Sequence, residues 1–198
     1  VPGDIDAVLI SHLHHDHADL PTLRRLPRST PVLAPPGAAR LLRGRGDVHE
    51  VRAGDRVDAG GQEVLVTPAE HPVQRLPWGA VSPALGFVAG GIYFAGDTDR
   101  FEAMAELAPL EVALLPVWGW GPRLGPGHLD PEEAAETLPL LRPKVAIPIH
   151  WGSYLPLGGT RRHGHLLTAP GPQFAEHARR IAPEVDVRLL APGETWAA

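Results

Sequence analysis

The chain has 198 residues, a net charge of −5, a hydrophobic content of 43% and no cysteine. This length suits one domain with a buried core, and the acidic balance gives no basic field for nucleic acid. Without cysteine, disulfides, thiolate metal ligands and cysteine nucleophiles are excluded, so nitrogen and oxygen must hold any metal. No apolar run approaches the roughly 20 residues that span a bilayer, and no charged-then-apolar leader opens the sequence, so we expect a cytoplasmic location.

The first half of the chain predicts short strands and helices joined by glycine- and proline-rich turns. A buried strand over 4–10 leads into the loop 11–19, and Asp19 is expected to cap a helix through Leu26, with Pro21 in its first turn. The remaining elements are a strand over 31–34, a helix over 38–43, and strands over 48–51 and 63–67, with His71 at a strand end.

The second half alternates in the same way. Strands over 84–89 and 92–95 flank Gly90-Gly91, which is a strong hairpin signal, and Asp99 with Glu102 resembles a capping box that opens a helix through about Leu107. The later elements are a strand over 111–117, a helix opened by the Asp130-Pro131-Glu132-Glu133 box that ends or kinks near Pro139, a strand over 145–149, a helix over 172–182 and a strand over 185–190. This alternation favours an α/β layered domain.

The segment 11–19 (SHLHHDHAD) holds four histidines and two aspartates directly after an apolar run. A strand that ends in His-x-His places His12 and His14 on one face, because side chains alternate along a strand. A turn after them brings Asp16 and His17 to the same pocket. His15 alternates away, so we expect it to support a neighbouring shell or to face solvent. The segment therefore predicts a metal site.

Other strand ends supply further donors, because strand ends on one edge of an α/β sheet converge in space. The complete set is His12, His14, Asp16, His17, His71, Asp97 and His150. Seven donors are too many for one tetrahedral zinc. They suit two metals that share a carboxylate, about 3.5–4 Å apart, with a bridging water as the nucleophile.

These motifs resemble the five-motif signature of the metallo-β-lactamase-fold hydrolases: HxHxDH at 12–17, His71, Gly96-Asp97-Thr98, and PIHWG at 148–152. The segment 127–134 (GHLDPEEA) and the Ile-His-Trp-Gly ending are similar to one branch of that superfamily. This branch contains the ascorbate-6-phosphate lactonase-like and N-acylphosphatidylethanolamine phospholipase D-like proteins. The resemblance implies a four-layer αββα sandwich.

The resemblance also implies a role for each donor. His12, His14 and His71 would hold the first metal. Asp16, His17 and His150 would hold the second, with Asp97 as the bridge. Asp16, Asp97 and His128 are the candidate catalytic residues. Two divalent ions are expected, with zinc favoured by the nitrogen-rich set and manganese or iron as alternatives.

The function implied is hydrolysis of a small-molecule ester, lactone or phosphoester by a bridging hydroxide, while the metals stabilise the developing oxyanion. One alternative is a phosphodiesterase acting on a lipid or nucleotide. Another is a non-catalytic, metal-binding relic. The lack of cysteine disfavours the common zinc type of β-lactamase activity. Polynucleotide processing is also disfavoured, because the sequence does not predict the basic surface that binds nucleic acid.

Several polar and aromatic residues have two interpretations each. His128 is either a loop histidine before the helix cap or a group that faces the metals, where an imidazole can bind an oxyanion or protonate a leaving group. His163 and His165 lie either in a flexible surface loop or in an anion clamp. The remaining candidates are Trp118 and Trp120, as an apolar wall or as packing, and Asp19 and Asp99, as helix caps or as hydrogen-bond partners of ligand imidazoles.

Members of this fold usually carry several strands before the first histidine motif, and the sequence shows none of them before residue 4. We therefore expect residues 1–198 to form one metallo-β-lactamase-like domain with a short N-terminal part and an exposed sheet edge. A second copy of the chain is a candidate for the cover of that edge, which makes a homo-oligomer one expectation.

Overall fold

The computed structural model describes residues 5–73 and 81–197. These residues divide into two compact units, with the boundary in the chain between Gly90 and Gly91. Within the described ranges, no helix combines the length and the apolar character that crossing a membrane requires.

In the parts of the chain that the structure describes, the first unit contains six strands and two short helices. In chain order they are β1 Val8–Leu9, α1 Leu20–Leu23, β2 Val32–Ala34, α2 Ala38–Leu41, β3 Val48–Glu50, β4 Arg56–Ala59, β5 Gln62–Val73 and β6 Ser82–Ala89. The first three strands form a parallel sheet in the order β1-β2-β3, and β5 pairs in antiparallel fashion with β4 and with β6.

Leucines, valines and alanines from the parallel sheet and the two helices form the core of this unit. Ile10, Leu23, Val32 and Leu42 are among its buried members. The side chain of Asp19 caps α1 by accepting a hydrogen bond from the Thr22 backbone N–H at 2.9 Å. The core therefore fixes the end of β1, from which the histidine-rich loop departs.

The second unit is built on parallel strands in the order β10-β9-β8-β7. Its elements are β7 Ile92–Phe94, a 3₁₀ helix Glu102–Leu107, β8 Leu110–Pro116, α3 Pro131–Glu136, α4 Leu138–Leu141, β9 Pro143–Ile149, α5 Thr160–His163, a second 3₁₀ helix Gly164–Leu167, α6 Pro170–Ile181 and β10 Asp186–Val187. The α6 helix packs against α3 and β9 and buries Phe174 and Ala178 completely.

The predicted start of α3 is confirmed. Asp130 Oδ1 accepts the backbone N–H groups of Glu132 and Glu133, and the Glu133 carboxylate accepts the Asp130 N–H at 3.0 Å. Pro131 occupies the first turn, where its missing N–H costs nothing. The helix ends at Glu136, and α4 begins two residues later, in agreement with the predicted break near Pro139.

Other elements differ from the sequence prediction. The strand predicted over 63–67 is the twelve-residue β5, so His71 lies inside a strand rather than beyond it. The polar β4 was missed because only four residues carry its pattern. The strands predicted over 4–10 and 185–190 shorten to β1 and β10, and residue 4 lies outside the described residues. The segment 161–165, which carries His163 and His165 and for which a flexible surface loop was one interpretation, is helical.

The predicted Asp99 capping box is wrong. Phe101 is the N-cap of the 3₁₀ helix Glu102–Leu107 and makes no side-chain cap. The Asp99 carboxylate instead accepts the backbone N–H of Gly127 at 2.9 Å. Spacing alone could not distinguish these two uses of a carboxylate, because the Gly127 N–H is distant in sequence.

Candidate metal centre

Three imidazoles of the first unit point their nitrogens at one another. His12 Nε2 lies 3.0 Å from His14 Nδ1, and His71 Nε2 lies 3.1 Å from the same atom. Three nitrogens on one tetrahedral zinc, each at the usual Zn–N distance of about 2.0–2.1 Å, are separated by about 3.4 Å. The three ring nitrogens therefore converge as ligands of one ion would, and the three residues form a potential metal-binding group.

Backbone hydrogen bonds fix this arrangement from two sides. The Ile10 N–H donates to Leu33 O, and the Ser11 carbonyl accepts the Leu85 N–H, both at 2.9 Å, so the segment before His12 is held between β2 and β6. The pairing of β5 with β6 shifts register between Ala69 and Val73, and His71 lies in this irregular segment. The irregularity re-aims a side chain that regular pleating would place by alternation alone.

A turn after His14 sets the second part of the HxHxDH motif. The Ala18 N–H donates to His14 O at 2.8 Å, which closes the turn and directs Asp16 and His17 together. His17 Nε2 lies 3.7 Å from Asp16 Oδ2. The His17 ring also lies against the His12 ring, with centroids 3.9 Å apart. Because β1 ends at Leu9, this loop rather than strand alternation brings the four side chains near one another.

One buried hydroxyl lies within hydrogen-bonding distance of both of these rings. Ser11 Oγ lies 3.2 Å from His12 Nδ1 and 3.3 Å from His17 Nδ1, and Ser11 is 3% exposed. Sequence reasoning does not single out this residue, because a lone serine is not a metal ligand of this chemistry.

The second unit brings Asp97, His128 and His150 together. Asp97 Oδ1 lies 3.4 Å from His150 Nε2, and Asp97 Oδ2 lies 3.8 Å from His128 Nε2. The Asp97 side chain is only 4% exposed. A buried carboxylate with an imidazole nitrogen near each of its oxygens can act as a bridging ligand or as a hydrogen-bond acceptor.

His150 has an unusual backbone. It follows β9 directly with φ of 60°, in the left-handed region that costs a non-glycine residue about 1–3 kcal/mol. The ring Nδ1–H donates to Trp118 O at 2.8 Å, since a carbonyl can only accept. In its neutral form the ring presents the Nε2 lone pair toward Asp97. Two electron-rich atoms facing each other at 3.4 Å suit a cation between them, which fits a divalent metal.

His128 follows the same pattern with different supports. Its Nδ1–H donates to Gly125 O at 3.2 Å, and Nε2 is directed toward Asp97. The hydrogen bond from the Gly127 N–H to the Asp99 carboxylate stabilises the same loop. A Cβ at Gly119 would lie 3.1 Å from the His128 ring, so the glycine leaves room for that ring.

The remaining residues that the sequence singled out are exposed or make contacts outside the histidine and aspartate clusters described above. His15 and Trp120 are exposed, and the rings of His163 and His165 are 6.5 Å apart on consecutive helical turns. Trp118 donates its indole N–H to Gly121 O at 3.2 Å, a contact that shapes its own loop.

Comparisons with known proteins agree with this chemistry. A family model described as a β-lactamase superfamily domain matches residues 1–151. A UPF0173 metal-dependent hydrolase of Methanopyrus kandleri is 30% identical, over 98% of this chain and 82% of that protein. An N-acyl-phosphatidylethanolamine-hydrolyzing phospholipase D of Caenorhabditis elegans is 28% identical, over 98% of this chain and 61% of its own length.

A solved structure is similar as well. Igni18, a metallo hydrolase of the archaeon Ignicoccus hospitalis, superposes with a TM-score of 0.70 at 25% identity, over 96% of this chain and 77% of that one.

Proposed function

From the premise that the chain belongs to the β-lactamase superfamily, with the metallo-β-lactamase fold and its metal-dependent hydrolase chemistry, we propose that it hydrolyses small esters, lactones or phosphoesters with two divalent metals. In this proposal residues 1–198 act as one domain. The observation that carries it is the convergence of His12, His14 and His71 on a common point.

The donor set favours zinc, with manganese or iron as alternatives, because all ligands are imidazoles and carboxylates. His12, His14 and His71 would hold one ion. Asp16, His17 and His150 would hold the other, and Asp97 would bridge, as the family pattern implies. When bound, such a pair activates a water and stabilises the negative charge that develops on the substrate oxygen.

Besides the metal ligands, the proposal assigns a direct role in the reaction to His128. In the proposal, His128 acts as an imidazolium with a proton on each ring nitrogen, so its Nε2–H hydrogen-bonds the developing oxyanion or gives that proton to the leaving oxygen. Its support is the Gly125 carbonyl, which accepts the Nδ1–H and leaves Nε2 directed at the Asp97 side of the centre. Positioned proton transfer of this kind contributes about 10²–10⁴-fold in rate.

The test begins with metal analysis. Protein stripped with a chelator and reloaded with Zn²⁺, Mn²⁺ or Fe²⁺ should bind two ions per chain and should hydrolyse at least one of three probes: an aryl ester, a γ-lactone and bis(p-nitrophenyl) phosphate. His49→Ala is the matched control, because this exposed histidine pairs with Asp47 instead. A stoichiometry near zero, or turnover that survives the chelator, would refute the proposal.

A second candidate is a lipid phosphodiesterase, favoured by the similarity to the phospholipase D of Caenorhabditis elegans. A phospholipid diester presented in vesicles tests it beside the soluble probes. Selective turnover of the vesicle substrate would favour this candidate over the small-molecule hydrolase. Two tightly bound metals without turnover on any probe would instead indicate a metal-binding protein that has lost catalysis.

A further inference from the structure

We infer that Ser11 is a positioning residue that orients a ligand of each proposed metal at once. The inference rests on the proposed two-metal function and deepens it. It starts from the contacts of Ser11 Oγ with His12 Nδ1 at 3.2 Å and with His17 Nδ1 at 3.3 Å. His12 belongs to the proposed first metal and His17 to the proposed second.

The hydrogen-bond directions follow from the chemistry of the two rings. A neutral imidazole carries a proton on one nitrogen and a lone pair on the other, and only the lone pair binds a metal. His12 Nε2 faces His14 and His17 Nε2 faces Asp16, so these are the ligand atoms. Both Nδ1 atoms must then be donors, and the Ser11 oxygen accepts both N–H groups with its two lone pairs.

The opposite arrangement would disable one ligand. If the Ser11 hydroxyl donated its proton to either Nδ1, that ring would carry its own proton on Nε2 and could not bind a metal through that atom. With the hydroxyl as the acceptor of both bonds, His12 and His17 hold the same tautomer, with the proton on Nδ1 and the lone pair on Nε2. The hydroxyl also fixes the relative tilt of the two rings, whose planes are 39° apart.

The position of the hydroxyl is itself rigid. The Ser11 carbonyl is bonded to Leu85 N–H, and the preceding Ile10 N–H is bonded to Leu33 O. Because Ser11 is 3% exposed, bulk water has little access with which to replace the hydroxyl if it is removed. Alanine at position 11 would keep the backbone bonds and remove only the acceptor.

The experiment measures zinc affinity by competition with a chromophoric chelator for the wild type, Ser11→Ala, Ser11→Thr and the exposed-serine control Ser29→Ala. Loss of a hydrogen-bond partner of a ligating histidine typically weakens metal affinity about 10–100-fold. We expect Ser11→Ala to weaken both zinc-binding steps by that factor. We expect Ser11→Thr, which keeps a hydroxyl, to recover most of the loss and Ser29→Ala to match the wild type.

Thermal unfolding with and without zinc separates positioning from folding. A positioning role predicts that Ser11→Ala lowers the melting temperature of the zinc-loaded protein more than that of the metal-free protein. Equal decreases in both forms, or wild-type affinity at both steps, would overturn the inference while leaving the two-metal proposal intact. A wild type that binds no zinc would overturn both.

Discussion

Gly119→Ala tests the role of His128 without changing the histidine itself, because it alters only the position of the ring. A Cβ at this position would lie 3.0 Å from Leu124 Cδ2 and 3.1 Å from His128 Cδ2. Carbon atoms in comfortable contact are about 3.5–4.0 Å apart, so the His128 ring must move by about 0.5 Å. A misplacement of 1 Å at a reacting centre costs about 10²-fold, and half that shift predicts a loss of about tenfold in kcat.

The assay is steady-state turnover of whichever probe the wild type hydrolyses best, with the zinc content measured on the same samples. Gly125→Ala is the matched control, because its Cβ would meet no atom within 4 Å in the same loop. We expect Gly119→Ala to keep its metals and lose kcat, and His128→Ala to lose more. If Gly119→Ala kept wild-type kcat while His128→Ala lost activity, the proposed link between the ring position and catalysis would be wrong.

Three further changes test other parts of the structure. His71→Ala should lower bound zinc from two ions to one and abolish turnover, as equilibrium dialysis with metal analysis would show; unchanged stoichiometry would contradict the ligand assignment. Gly171→Ala should destabilise the protein by about 1–3 kcal/mol in urea unfolding, because the added Cβ would overlap the Trp151 ring, and a neutral result would mean that this ring moves freely. Asp130→Ala should cost about 1 kcal/mol in the same measurement through the loss of the α3 cap, unless water replaces the carboxylate without penalty.

The sequence predicted the elements whose signals are local. The Asp130 box, the Asp19 cap and the strands that carry apolar runs could be identified because each depends on neighbouring residues. The role of Asp99 and the length of β5 could not, because both depend on hydrogen bonds to distant segments: the Gly127 N–H in one case and the partner strand β6 in the other.

In the candidate site, too, some residues could be identified from sequence and others could not. Histidines and aspartates at recognisable spacing could be named from sequence as potential ligands, since their side chains are chemically suited to metals. Ser11 and Gly119 could not, because the first matters through a buried hydroxyl and the second through the absence of a side chain. Neither property has a sequence pattern of its own.

The imidazoles of the candidate site are held in a similar way, and this bears on how the ligands among them are oriented before a metal binds. In the second unit, the protein accepts the Nδ1–H of His150 through Trp118 O and that of His128 through Gly125 O, and both rings direct Nε2 toward Asp97. In the first unit, Ser11 is positioned to accept the Nδ1–H of two rings. A ring whose tautomer is already set loses less orientational freedom when it binds an ion, so each unit pays that entropic cost during folding. Removing the Ser11 hydroxyl should therefore weaken metal affinity without removing a ligand.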